Sequence, residues 1–312
     1  LANSTESEDE SPSERGARVG GVQSRFQDIR LAEPRQHQLI ETMEQLRVSG
    51  LARAPGAPTR GIRVIQPSGA GKSEAAKQFV AFVAAQPDRD PTKTPVLHVT
   101  LETTGTPKSL IVSCLEQLGD EYATEGTESL LLKRLRKALI EKGVEIMIID
   151  ELNHCSQKIM GKDVSNTLKN MLTKGWAPIV FMGTADANRL FKSNKELRNR
   201  CSSQLSLTPL DPDHEDDLTA WKQFLAGMDE EIVRRKLLTR HSNLAAPDVA
   251  EALCRACSGL IGELALVLED ALCAVARRRG SRITVADLHR ALDVRYVLEG
   301  ELDANPLQGL AE

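Results

Sequence analysis

At 312 residues, with 41% hydrophobic and 27% charged side chains, the chain can bury one large core or a core plus a smaller domain. A net charge of −4 excludes a bulk polycation, so any nucleic-acid contact needs a local basic patch. Aromatic residues make up 3%, too few for a base-stacking platform of the single-strand-binding kind.

Residues 1–25 are rich in Ser, Glu, Gly and Arg and show almost no apolar periodicity, which predicts disorder. From Phe26 to Gly50 the pattern turns helical, with Leu39, Ile40, Met43, Leu46 and Val48 at helical spacing. A loop rich in Pro and Gly follows at 52–61. Strands and helices then alternate. Strands are expected at 62–65, 95–101, 144–150, 177–183 and 202–207. Helices are expected at 73–86, 107–119, 127–142 and 162–174, with Pro107 at a first helical position and Thr127 as a cap. The run VEIMIID at 144–150 is almost uniformly apolar, as in a strand covered on both faces. This alternation predicts an α/β fold with a five-stranded parallel, doubly wound sheet.

After Pro209 only helices are expected, at 214–226, 229–240, 247–257, 261–279 and 284–293. The last opens on Thr284 with Asp287 in a capping-box arrangement. The expected organisation is a disordered segment (1–25), an α/β core (26–210), a helical lid (211–297) and a tail (298–312). The terminal segments could dock partners.

The six cysteines are scattered, and only Cys254 and Cys257 form a C-x-x-C, inside a helical pattern. Without a second pair they read as core residues, and His154 with Cys155 likewise lacks further ligands. A reducing cytoplasm fits this usage. No apolar run reaches spanning length and no leader is read, so no membrane partner is expected.

The chemistry concentrates in two places. Gln66-Pro67-Ser68-Gly69-Ala70-Gly71-Lys72-Ser73-Glu74 follows a strand and opens a helix. This is the setting of a phosphate-binding loop, in which glycines turn backbone N–H groups inward and a helix N-terminus adds positive potential. Residues Pro67 to Glu74 are the nucleotide-binding candidates. Lys72 would bridge the β- and γ-phosphates of ATP, and Ser73 would ligate Mg²⁺. The usual pattern opens on glycine where this chain has Gln66, a change expected to reshape the loop entrance without abolishing binding. The second place is the end of the apolar strand, where Asp150 would hold Mg²⁺ and Glu151 would polarise the attacking water. Together they make ATP hydrolysis the leading expectation. Thr184, ending the fourth strand, could contact the γ-phosphate or its water, or simply cap a helix. Arg198 and Arg200 could neutralise transition-state charge on a neighbouring copy, or form surface ion pairs.

With QPSGAGKS, MIIDELNHC, GWAPIVFMGTADANRLF, ELRNRC and the segment 258–288, the chain resembles AAA+ ATPases, and more narrowly the TniB/TnsC family of transposition regulators, over about residues 28–295. The resemblance implies a protein that binds ATP and Mg²⁺ and assembles as a ring or helical filament on duplex DNA. It also implies links to a target selector of TniQ type and to a DDE transposase, and release on hydrolysis in a bacterial cytoplasm. By position it makes Thr184 a sensor and Arg198 or Arg200 a finger acting in trans. Where many AAA+ proteins place a second sensor arginine this chain has Glu263, so closure would rely more on the neighbouring subunit's arginine. DNA contact is expected through phosphates, with Thr104, Lys108, Lys158, Lys162 and Lys169 as donors. Arg277, Arg278 and Arg279 end a helix and suit its dipole. Two other readings are another DNA-associated AAA+ ATPase such as a helicase loader, and a nucleotide-gated scaffold that hydrolyses little, against which Glu151 argues.

Overall fold

The computed structural model describes residues 10–101, 105–155, 160–204 and 207–310. It divides into two compact units, one from Pro34 to Thr208 and one formed by the chain up to Glu33 together with the chain from Pro209 onward. In chain order, α1 (Pro12–Gln27) precedes α2 (Pro34–Leu51), β1 (Gly61–Ile65), α3 (Lys72–Ala84), β2 (Val96–Thr100), α4 (Pro107–Gln117) and α5 (Glu128–Glu141). Then come β3 (Ile146–Asp150), α6 (Met160–Thr173), β4 (Ile179–Gly183), the short α7 (Asn188–Ser193) and α8 (Lys195–Arg200), and β5 (Cys201–Gln204). The remaining helices are α9 (Glu215–Arg234), α10 (Pro247–Ala256), α11 (Ile261–Arg277) and α12 (Val285–Leu292).

The α/β unit is built on one sheet in the order β2-β3-β4-β1-β5, with every pairing parallel. All five residues of β3 and of β4 are buried, as their uniformly apolar sequences require for central strands packed on both faces. Register sets the function-bearing edge. Thr100 stands opposite Asp150, and Ile65 opposite Gly183, so β1, β2, β3 and β4 finish together. The crevice outside these carboxyl ends is where open α/β sheets bind ligands.

The helical unit departs from the sequence expectation first at its N-terminal segment. The segment expected to be disordered carries α1, opened by a capping box in which Glu14 N–H donates to Ser11 Oγ (3.2 Å) and Ser11 N–H donates to Glu14 Oε2 (2.9 Å). Val22 and Phe26 are buried in the same core as Trp221, Leu253 and Leu268. Arg18 Nε donates to the Ala276 carbonyl (2.9 Å), and Gln23 Nε2 to Glu269 Oε1 (2.6 Å), fixing α1 to α11. The apolar positions of α1 are too sparse to register as a period, and tertiary contacts offset the ordering entropy instead. Helical pattern from Phe26 to Gly50 also proves to be two helices, separated before Pro34, whose ring disfavours helical backbone at Glu33.

Two expected helices at 214–226 and 229–240 are one, α9, whose buried Trp221, Phe224, Leu225, Met228 and Ile232 keep one face. Gly227 sits mid-helix because Leu31 packs there: a Cβ would stand 3.0 Å from Leu31 Cδ2. The C-terminal stretch also packs, with Leu307 buried and Asn305 Nδ2 donating to the His289 carbonyl (2.8 Å). Cys254 and Cys257 are buried free thiols, and burial pushes the Cys254 thiol up to about 12, as core residues should be.

Phe26→Ala should lower the stability of the helical unit by about 3 kcal/mol, read as a lower urea midpoint, while Ser13→Ala on the exposed side of α1 leaves it within about 0.5 kcal/mol.

Candidate nucleotide site

The loop after β1 explains how Gln66 is accommodated. Its N–H donates to the Gly183 carbonyl (3.0 Å), which extends the β1–β4 ladder by one residue, and its side chain is buried. Gln66 is not among the residues with positive φ, whereas Gly69 and Gly71 have φ of 75° and 81°. Left-handed backbone, and hence glycine, is required in the body of the loop and not at its entrance. Gly71 is also tight: Gln36 Nε2, from α2, donates to its carbonyl (2.9 Å), and a Cβ there would lie 2.3 Å from that nitrogen. Pro67 and Ser68 are exposed at the loop tip, Ala70 is buried, and Glu74 accepts a long bond from Gln78 Nε2 (3.4 Å) in the first turns of α3.

Lys72 is buried, and its Nζ donates back to the carbonyls of Gln66 (3.0 Å) and Pro67 (2.7 Å). Burial pulls its ammonium below the ordinary lysine range, against the attraction of Asp150 and Glu151. Ser73 Oγ donates to Asp150 Oδ2 (2.6 Å), which ties the start of α3 to the end of β3. Asp150 is almost fully buried, and burial alone would raise its pKa. The neighbouring His98 imidazole, the Ser73 hydroxyl and the Glu151 N–H (2.8 Å to Oδ1) outweigh it and hold the carboxyl below its usual range. His98 Nε2 stands 3.6 Å from Asp150 Oδ2 and has no hydrogen-bond partner, so it acts across a gap just beyond bonding distance. The Ser73 hydroxyl and Asp150 carboxylate are hard oxygen donors of the type Mg²⁺ takes alongside phosphate and water, so the residues present fit that ion.

Glu151 has φ of 55°, a left-handed backbone that costs a non-glycine residue on the order of 1–3 kcal/mol. The bend turns the chain off β3 into a short 3-10 turn at Leu152–Cys155. Within that turn Asn153 joins two candidate residues. Its Nδ2 donates to Glu151 Oε2 (3.1 Å), and its Oδ1 accepts from Thr184 N–H (3.1 Å). Gly183 must lack a side chain here, since a Cβ would stand 2.9 Å from Asn153 Oδ1. Thr184 occupies the N-cap position of the short 3-10 turn at Ala185–Ala187, where its carbonyl accepts from Ala187 N–H (3.0 Å) and its side chain makes no cap hydrogen bond.

Gln36, His98 and Asn153 were not found from sequence. Each is a polar residue inside a segment read for its apolar pattern, and the contacts that matter are brought by the fold. The S-x-x-E at Ser11 to Glu14 was a signal of the kind that could have revealed α1.

Arg198 and Arg200 lie on α8 and stand apart from this cluster. Arg200 immediately precedes Cys201, which pairs with Gly61 at the start of β1, and β1 rises about 13 Å from there to its loop end. Neither arginine forms an ion pair among the described residues. Of the candidate DNA contacts, Lys108 and Lys162 are exposed, and Lys169 is paired with Glu196 (3.1 Å). Thr104 and Lys158 lie outside the described residues. In the helical unit Glu263 accepts from Tyr296 Oη (2.9 Å), and Arg278 at the end of α11 pairs with Asp287. No helix among the described residues is long and apolar enough to cross a membrane.

The family model described as bacterial TniB protein matches residues 24–208, more than half of the chain and the whole loop-to-Asp150 assembly. The chain belongs to the TniB family. Comparison with curated protein sequences finds no match. Among solved structures, this TniB-family chain is similar to the Aeropyrum pernix ORC1 protein in complex with DNA, at 15% identity and a TM-score of 0.64, covering 86% of this chain and 68% of that one. It is similar to the ORC2 protein of the same organism in ADPNP–ADP complexes, at 12% identity and a TM-score of 0.62, covering 86% and 71%. It also resembles a Walker-type ATPase of Pyrococcus abyssi, at 16% identity and a TM-score of 0.56, covering 89% and 75%. At such identities the likeness is one of fold, and the fold is that of an AAA+ P-loop protein.

Gly71→Ala should destabilise the α/β unit by at least about 1 kcal/mol in denaturant unfolding, through its left-handed backbone. Adding Gln36→Ala should recover the steric part of that loss and no more.

Proposed function

We propose that this TniB-family protein is an ATP-dependent regulator of DNA transposition. It binds ATP with Mg²⁺, oligomerises on duplex DNA, links a target selector of TniQ type to a DDE transposase, and dissociates when ATP is hydrolysed. The observation that carries this reading is the convergence of Lys72, Ser73 and Asp150 at one edge of the sheet, with Ser73 and Asp150 in direct contact. Family membership supports the transposition assignment, and proteins of similar fold solved in complex with DNA, or with ADPNP and ADP, support the ligands.

Lys72 is the residue with most to gain from a triphosphate. Its partly desolvated ammonium, now held by two carbonyls, would exchange them for phosphate oxygens of full negative charge. Backbone N–H groups of residues 69–73 would complete the cradle. Bound Mg²⁺, held by Ser73 and Asp150, would neutralise charge on the β- and γ-phosphates. Glu151 would orient and polarise water as general base, with Asn153 setting the carboxylate's position and tying it to the Thr184 backbone. Arg198 or Arg200, remote from the loop of its own chain, would serve a neighbour's site in trans. Exposed Lys108 and Lys162 would contact DNA phosphates, and Lys169 would do so less, since it already has an acidic partner.

The direct test is electron microscopy of the protein with a non-hydrolysable ATP analogue and duplex DNA. Ordered assemblies on DNA are expected, and protein that stays monomeric and unbound would count decisively against the reading. Glu151→Gln should keep ATP affinity by calorimetry and lose at least about 100-fold in hydrolysis, whereas Lys72→Ala should lose binding. Asn153→Ala should lower kcat about tenfold with KM for ATP unchanged, because it misplaces Glu151 without touching the loop.

A further inference from the structure

A second concave site lies away from the loop, between α5 and the C-terminal half of α6, with a volume of about 250 Å³. Leu132, Met171 and Trp176 supply apolar lining, and Lys133, Arg136 and Lys174 supply three cations. Among the described residues no carboxylate lines it. The cations are also unlike their neighbours on α5. Arg134 pairs with Asp120, and Lys137 pairs with Glu141 (3.5 Å), yet Lys133, Arg136 and Lys174 form no ion pair among the described residues. Lys133 and Arg136 are three apart on one helix, which brings their side chains to one stripe. One turn beyond Arg136 that stripe continues in Ile140, 71% exposed. The wall has an unmet need as well: the indole Nε1–H of Trp176 is buried and has no acceptor.

We infer that this cleft docks an acidic peptide segment of a partner protein, one that pairs carboxylates with an aliphatic or aromatic side chain. Three uncompensated cations around a carboxylate-free cleft select an anionic ligand. The apolar lining selects between anions. A leucine or phenylalanine beside a carboxylate gains burial against Leu132, Met171 and Trp176, whereas a phosphodiester backbone gains nothing there. A concave pocket also suits a protruding side chain better than the convex surface of a duplex. The inference is independent of nucleotide binding.

Fluorescence anisotropy on the full chain, without nucleotide, tests it. The probes are a labelled octapeptide of alternating glutamate and leucine, the same peptide with glutamine for glutamate, and a labelled 20-bp duplex. The glutamate peptide should bind at least tenfold more tightly than the glutamine one and weaken with salt. It should also perturb tryptophan emission, a response lost in Trp176→Phe. Combining Lys133→Glu, Arg136→Glu and Lys174→Glu should weaken it at least tenfold, with circular dichroism confirming the fold. Should that variant fail to fold, the single changes Lys133→Gln and Arg136→Gln should each weaken binding two- to fivefold. Equal affinity for the glutamine peptide, or full affinity in the charge variants, would overturn the inference. So would a duplex that displaces the peptide and loses affinity with the same changes, since the cleft would then be a phosphate contact.

Discussion

The hydrogen bond between Ser73 Oγ and Asp150 Oδ2 is the interaction on which the rest of the α/β unit depends. It connects two stretches 77 residues apart in sequence, and it exists because β1 and β3, although separated by β4, end at one level. Parallel pairing without slippage does this. A one-residue shift would turn Asp150 to the other face of the sheet and separate it from α3. Every residue in β3 and β4 is buried, so the polar cluster stands at the end of a packed apolar core.

The polar cluster in turn has a cost that the surrounding fold sustains. Asp150 and Lys72 are charged groups taken almost out of water, and Glu151 holds a backbone that most side chains avoid. Each is compensated locally: Asp150 by Ser73, His98 and a backbone N–H, and Lys72 by two carbonyls. On the proposed reading, phosphate would take the place of the two carbonyls at Lys72, and metal would join Ser73 at Asp150.

How much of this could be read from the chain alone divides along physical lines. The loop and the Asp-Glu strand end were legible because each is contiguous and sits at a strand boundary, where residue type and backbone demand coincide. Even the Gln66 exception has a local explanation, since that residue continues a strand and needs no left-handed backbone. Asn153, Gln36 and His98 were not legible, because their roles come from contacts between elements distant in sequence. The helix α1 was missed for a related reason: its stability resides in α11 and the core of the helical unit rather than in its own periodicity. The short α7 and α8 were passed over because six-residue helices carry too few apolar positions to show a period. Asn194, which caps α8 by accepting from Leu197 N–H (3.0 Å), was the available sign.

The placement of Arg200 beside the first residue of β5 has one more consequence. Candidate loop and arginine sit at opposite ends of the strands, so an arginine that serves another copy could do so head to tail, through two dissimilar surfaces. A head-to-tail contact of that kind is heterologous and propagates, whereas a twofold contact would pair each arginine with the other copy's loop and close. A stack of such copies would be polar, with one terminal molecule showing a vacant loop and the other an unused arginine. Addition and loss of molecules would differ at its two tips, giving the array an inherent direction along whatever it coats.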